Sequence, residues 1–130
     1  MIEVYTDGAA MGDPGPSACG VYMKHADKHW EYSFQLGELS NHEAEFWGVI
    51  KALEICQSEF PGEIISLRSD SRIVVDTLEK EFSKNEKFIP LLERIQHLKN
   101  AFAFVFIKWI PEKQNKNADR IARSALRAER

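Results

Sequence analysis

Five acids in this chain stand where a carboxylate could do chemistry. Asp7 follows the apolar run Ile2, Val4, Tyr5, and Glu43 and Glu45 fall in the first turns of an amphipathic segment. Asp70 ends a second apolar run, and Asp119 opens a basic segment near the C-terminus. Two carboxylates about 5 Å apart repel by roughly 3 kcal/mol at an effective dielectric near 20, so three or four brought together need cations or protons. An all-oxygen set suits magnesium, manganese or calcium, whereas zinc prefers His and Cys, which do not accompany these acids. Two divalent ions bridged by one carboxylate can activate a water and stabilise both the entering and the leaving oxygen of a phosphodiester. Each acid alone has an ordinary alternative. Asp7-Gly8 is a common turn pair, Asp70 before Ser71 could cap a helix, Asp119 could answer a helix dipole, and Glu43 or Glu45 could be half of a capping box.

The elements that must position these acids are legible from periodicity. IEVYTD reads as a first strand, MGDPGPSACG as a Gly/Pro/Asp loop, and CGVYMKH as a second strand. HWEYSFQL is a third, with Trp30, Tyr32, Phe34 and Leu36 alternating with polar residues, and Ala26, Asp27 and Lys28 suit a hairpin between them. The period then changes. Phe46, Val49, Ile50 and Leu53 fall at helical spacing after Ser40 and Glu43, a capping-box signature, and Pro61-Gly62 closes that region. IISLRSD is a fourth strand running into Asp70, SRIVVDTLEKE a helix, KNEK a polar connection, and PLLERIQHLKNA a further helix with Leu91, Leu92, Ile95 and Leu98 on one side. AFVFIKWI is a fifth strand, IPEKQNK a loop, and NADRIARSALRAER a last helix. The order βββαβααβα predicts an α/β fold, a five-stranded mixed sheet flanked by helices. Right-handed crossover sets the strands in order 3-2-1-4-5, with Asp7 and Asp70 on neighbours.

At 130 residues the chain is expected to form one domain, residues 1–130, large enough to bury roughly two-thirds of its unfolded surface. No apolar run approaches a membrane span, and no basic and apolar preamble precedes Ile2, so a cytoplasmic monomer without a secretory leader is the expectation. Cys19 and Cys56 are far apart and set among apolar neighbours, which predicts buried free thiols. A net charge of -3 argues against gripping nucleic acid by bulk electrostatics. A polyanionic substrate would have to be held locally.

Four segments, YTDGA with GDPGPSACG, SNHEAEFWGVIKALE, RSDSRIVVDTL and NKNADRIARSA, resemble in order and spacing the landmark segments of the type 1 ribonuclease H family, over almost the whole chain. The resemblance implies a ribonuclease H fold and two-metal hydrolysis of the RNA strand of an RNA/DNA hybrid, with two Mg2+ ions for which Mn2+ can substitute, leaving 3'-hydroxyl and 5'-phosphate ends. It implies Asp7, Glu45, Asp70 and Asp119 as catalytic metal ligands, Asp7 bridging; Glu45 is preferred to Glu43 because it fills the acid slot of the family's AE(Y/F) motif. It further implies substrate contacts at Gly8, Ala10, Gly12, Asp13, Asn41, His42 and Ser71, where backbone near Gly12 could approach a 2'-hydroxyl closely.

The chain departs from the family's fuller pattern in several places. The loop PEKQNK lacks the histidine that many relatives carry there, with Glu112 or Lys113 as substitutes or as solvated loop residues. Asp13 stands where asparagine is usual, and His42 replaces the second of a pair of asparagines. EKEFSKNEK has mixed charge and no tryptophan where some bacterial members have a basic protrusion. The basic concentration runs from Lys108 to Arg130, with Arg120, Arg123 and Arg127 on one helix face, either a phosphate contact or a solvated stripe. Trp47 and Trp109 read as core. These departures leave a second expectation, a catalytically weak or silent module that binds nucleic acid or a protein partner. A third keeps the chemistry on branched DNA or in transposition, since fold alone does not fix the substrate.

Overall fold

Strand and helix boundaries follow the residue pattern closely in this computed structural model, which describes residues 1–128; Glu129 and Arg130, the end of the basic stretch, lie outside the described residues. The elements are β1 (Ile2–Ala10), β2 (Gly15–His25), β3 (Lys28–Leu39), α1 (Asn41–Glu59), β4 (Ile64–Ser69), α2 (Arg72–Lys80), α3 (Ile89–Lys99), β5 (Phe104–Trp109) and α4 (Lys116–Ala128). The sheet has the order β3-β2-β1-β4-β5, as right-handed crossover requires. β1 pairs antiparallel with β2 and parallel with β4, in a register that sets Thr6 opposite Ser69 and so ends β4 beside the point where β1 carries Asp7.

α1 forms where the sequence signals it. Ser40 Oγ accepts the Glu43 N–H at 3.1 Å while Glu43 Oε1 accepts the Ser40 N–H at 3.0 Å, so two otherwise free donors at the helix start are satisfied. Phe46, Val49, Ile50 and Leu53 are fully buried with Ile2, Val4, Ile65 and Leu67, each worth about 2 kcal/mol of apolar burial. Leu91, Leu92, Ile95 and Leu98 join α3 to that core, and both cysteines are buried and free.

Three expectations from the residue pattern are corrected. The Gly/Pro-rich segment is a bend only at Met11–Pro14; Gly15 to Gly20 already belong to β2. Its small residues serve packing rather than turning. A Cβ on Gly20 would stand 2.5 Å from the Ala118 carbonyl oxygen of α4 and 2.6 Å from the Ala122 nitrogen. The IPEKQNK loop contains a 3-10 turn, Glu112–Gln114, and α4 starts at Lys116, one residue before the predicted helix. The hairpin break is confined to Ala26 and Asp27, with Lys28 already in β3.

The same packing places the helices. Asp7 pairs with Gly20, which faces α4, so the next residue, Gly8, faces the other side of the sheet. There a Cβ would lie 2.4 Å from both the Ala44 carbonyl carbon and the Glu45 nitrogen. α1 and α4 therefore sandwich β1 around Asp7, and the missing Gly8 side chain is what lets α1 carry Glu45 up to the strand. Gly8→Ala is expected to cost about 2 kcal/mol or more, read as a lower urea midpoint at unchanged m-value. A wild-type midpoint would show that α1 can move off the strand freely.

Candidate active site

Asp7 lies in the interior of β1 and is 8% exposed, with the Gly8 N–H donating to its Oδ1 at 3.0 Å. Glu45 is carried on the second turn of α1, and His42 one turn earlier holds Nδ1 3.0 Å from Glu45 Oε1. Glu43 is occupied by the capping box, which separates the two glutamates' roles physically. Asp70 follows the last residue of β4, and its backbone carbonyl accepts the Trp109 indole N–H at 3.1 Å. The Arg72 guanidinium stacks 3.8 Å from the centroid of that indole ring, so Trp109 is a brace for Asp70 as well as a half-buried apolar group.

Asp7, Glu45 and Asp70 each offer a carboxylate oxygen, and the three oxygens lie within 4.8 Å of one another. Their proton affinities show what that arrangement costs. Burial, then the Asp70 charge, push Asp7 up to about 8 against the opposing Gly8 N–H, and Asp119 and Glu45 add to the rise. Glu45 is raised by burial and by Asp70, with His42 and Ser71 favouring its charged form. Asp70 is also raised, by burial first and by Glu112 and Asp119, while Asn115 opposes the rise. Three oxygen donors whose charged forms are disfavoured for want of a counter-charge match the preference of a hard divalent cation.

The fourth acid stands apart. Asp119 is on the first turn of α4 with its side chain 42% exposed, and Arg123 Nε donates to its Oδ1 at 2.9 Å. It nevertheless lines the same cleft of about 330 Å³ as the other three. The expected set of four is thus a tight trio with a more open fourth member across the cleft. Gly8, Ala10 and Asn41 also line this cleft, whereas Gly12 and Asp13 sit in the exposed bend and do not. His42 is exposed and tied to Glu45, and Ser71 caps α2 by accepting the Val74 N–H at 3.3 Å. Glu112 reaches the cleft wall, whereas Lys113 does not line it. Arg120, of the basic stripe, is spent on Glu31 at 2.8 Å.

Two residues near the acids were not tied to them from the sequence, where Arg123 reads only as part of the basic stripe and Asn115 is not singled out. Arg123 lines the cleft, and its spacing of four from Asp119 on a helix was a readable signal for the ion pair. Asn115, buried just ahead of α4, donates through Nδ2 to the Thr6 carbonyl at 2.9 Å. From sequence it looks like an ordinary helix cap.

Because the folded pKa of Asp7 lies above the unfolded carboxylate value, the folded protein binds more protons in the interval between them. Its contribution to stability is present at low pH and is lost as pH rises toward about 8. In EDTA, Tm is expected to decline from pH 5 to pH 8.5, and Asp7→Asn to remove much of that slope and raise Tm at the alkaline end. An Asp7→Asn profile parallel to wild type would show a solvated carboxylate.

Comparison with known proteins agrees with this geometry. The family model described as "Reverse transcriptase-like" matches residues 5–125. A putative hydrolase, EbsB, of Enterococcus faecalis is 42% identical over 97% of this chain and 94% of its own length. Ribonuclease HI of Halobacterium salinarum is 31% identical over 96% of this chain and 64% of its own length. The crystal structure of RNase H1 from Halobacterium salinarum superposes with a TM-score of 0.91 at 31% identity, covering 98% of both chains. LC11-RNase H1 in complex with an RNA/DNA hybrid gives 0.92 at 27% identity over 99% of both. With this fold, this strand order and three carboxylates converging from β1, α1 and β4, the chain belongs to the type 1 ribonuclease H family.

Proposed function

We propose that the chain is a divalent-metal-dependent endonuclease that hydrolyses the RNA strand of RNA/DNA hybrids to 3'-hydroxyl and 5'-phosphate ends. The observation that carries this is the convergence of Asp7, Glu45 and Asp70 oxygens within 4.8 Å, on a fold shared with a relative solved on such a hybrid. Asp7, with Glu45 and Asp70 beside it and Asp119 lining the same cleft, would hold two Mg2+ or Mn2+ ions, Asp7 being the acid placed to serve both. Bound there, the ions would supply an activated water and charge neutralisation at phosphorus.

The chain's own residues prepare that site. Burial strips water from Asp7, the His42 imidazole and Ser71 hydroxyl steady Glu45, and Trp109 holds the Asp70 backbone. Asn41, exposed at the α1 start on the cleft wall, and the Ala9–Ala10 end of β1 offer polar and backbone groups to a strand lying over the acids.

The Asp119–Arg123 pair favours a second reading, in which the fourth acid is held off and the module binds hybrid while cleaving slowly. A hybrid-cleavage assay in Mg2+ and in Mn2+ separates the two. Asp7→Asn and Asp70→Asn are expected to lower the rate about a thousandfold, equivalent to about 4 kcal/mol of transition-state stabilisation. Asp119→Asn should lose about tenfold less than Asp7→Asn, in keeping with its exposed, already paired carboxylate. Equal cleavage by wild type and Asp7→Asn would remove the site, and tight hybrid binding without turnover in either metal would establish the silent module.

A further inference from the structure

Asn115 closes the segment between β5 and α4 and is 1% exposed. Its polar groups reach the segments that carry three of the four acids. Nδ2 donates to the carbonyl of Thr6, the residue before Asp7, at 2.9 Å. The same amide lies close enough to Asp70 to favour its charged form. Its backbone carbonyl accepts the Asp119 N–H at 3.1 Å, while its own N–H is tied down on the Glu112 carbonyl at 2.9 Å.

The remaining group is informative. Asn115 Oδ1 is buried without a hydrogen-bond partner. An asparagine just ahead of a helix usually spends that oxygen on a free N–H of the first turn, and this one does not. A buried acceptor left unpaired costs free energy, so this side chain is held here for its donor rather than for its acceptor. An apolar side chain of the same size would lose the amide donor that ties β1 at Thr6 to the segment ahead of α4.

We propose that Asn115 is a positioning residue: its amide pins β1 at Thr6, beside Asp7, and its carbonyl holds the Asp119 N–H, so that the start of α4 and the strand carrying Asp7 keep the relative placement in which the acids capture a divalent cation. This rests on the assignment of those acids as the metal site. Asn115 itself is not placed against metal or substrate. Partners of this kind, one hydrogen bond behind a ligand, tune metal affinity by fixing ligand orientation.

Mn2+ binding, followed by electron paramagnetic resonance of the free ion, tests this in wild type, Asn115→Leu and Asn115→Ser, each with a urea melt. The Leu variant fills the volume and removes both the donor and the orphaned acceptor; the Ser variant guards against a failure of the Leu variant to fold. The expected result is a Mn2+ dissociation constant raised about 10-fold to 100-fold in both. The Leu variant leaves the Thr6 carbonyl without its donor, so it is expected to melt at a somewhat lower urea concentration while remaining folded under the conditions of the titration. Wild-type affinity in either folded variant overturns the proposal, as does a loss of affinity that merely tracks lost stability. Hybrid cleavage is read separately: a wild type that binds Mn2+ and cleaves no hybrid overturns the functional reading, while the Asn115 comparison still stands or falls on the metal titration.

Discussion

Mutual repulsion among buried carboxylates is the constraint on which the other features depend. Asp7 is desolvated by the sheet and by the helices on both sides of β1, and two further carboxylates each bring an oxygen within 4.8 Å of its own. Folding would relieve that cost by moving any one acid away. The backbone forbids it: Gly8 locks α1 against β1, the parallel register locks β4 beside β1, and the Trp109 indole fixes the Asp70 carbonyl. The strain is held by rigid secondary structure rather than by loops, as a preorganised ligand set requires.

The acids differ in how strongly each is held. Asp7 has a single backbone donor and the largest upward shift; Glu45 has a histidine and a serine to steady it; Asp119 has an arginine of its own. Charge is thereby graded from the sheet outward, from a group that gives up its proton reluctantly to one already neutralised. The acidic balance of the whole chain makes this grading local, since nearby cations such as Arg123 and Arg72 are each engaged by Asp119 or by the Trp109 ring.

Much of the fold was legible because its signals are short-range or follow from handedness. The capping box at Ser40 and Glu43 and the apolar stripe of Phe46, Val49, Ile50 and Leu53 specify α1, and the crossover rule then fixes the strand order. Gly15 to Gly20 misled because smallness has two causes, turning and close approach, and sequence does not separate them until α4 is seen lying on Gly20. At the site, Asp7, Glu45 and Asp70 were legible as a set. The distance of Asp119 from the trio was not, because the Arg123 contact competes with convergence. Asn115 was hidden by its own type: beside a helix start it resembles a cap, and only the 109-residue reach to Thr6 distinguishes it.

The pairing of β1 with β4 joins residues as distant as Ile2 and Ile65, with a meander and a long helix threaded between them. Parallel ladders closed over such separations form late, after the local hairpin and helix have paid their entropy. Closure of the β1–β4 ladder is therefore the step that creates the cation pocket: until β4 docks, Asp7 and Asp70 sit on unconnected pieces of chain.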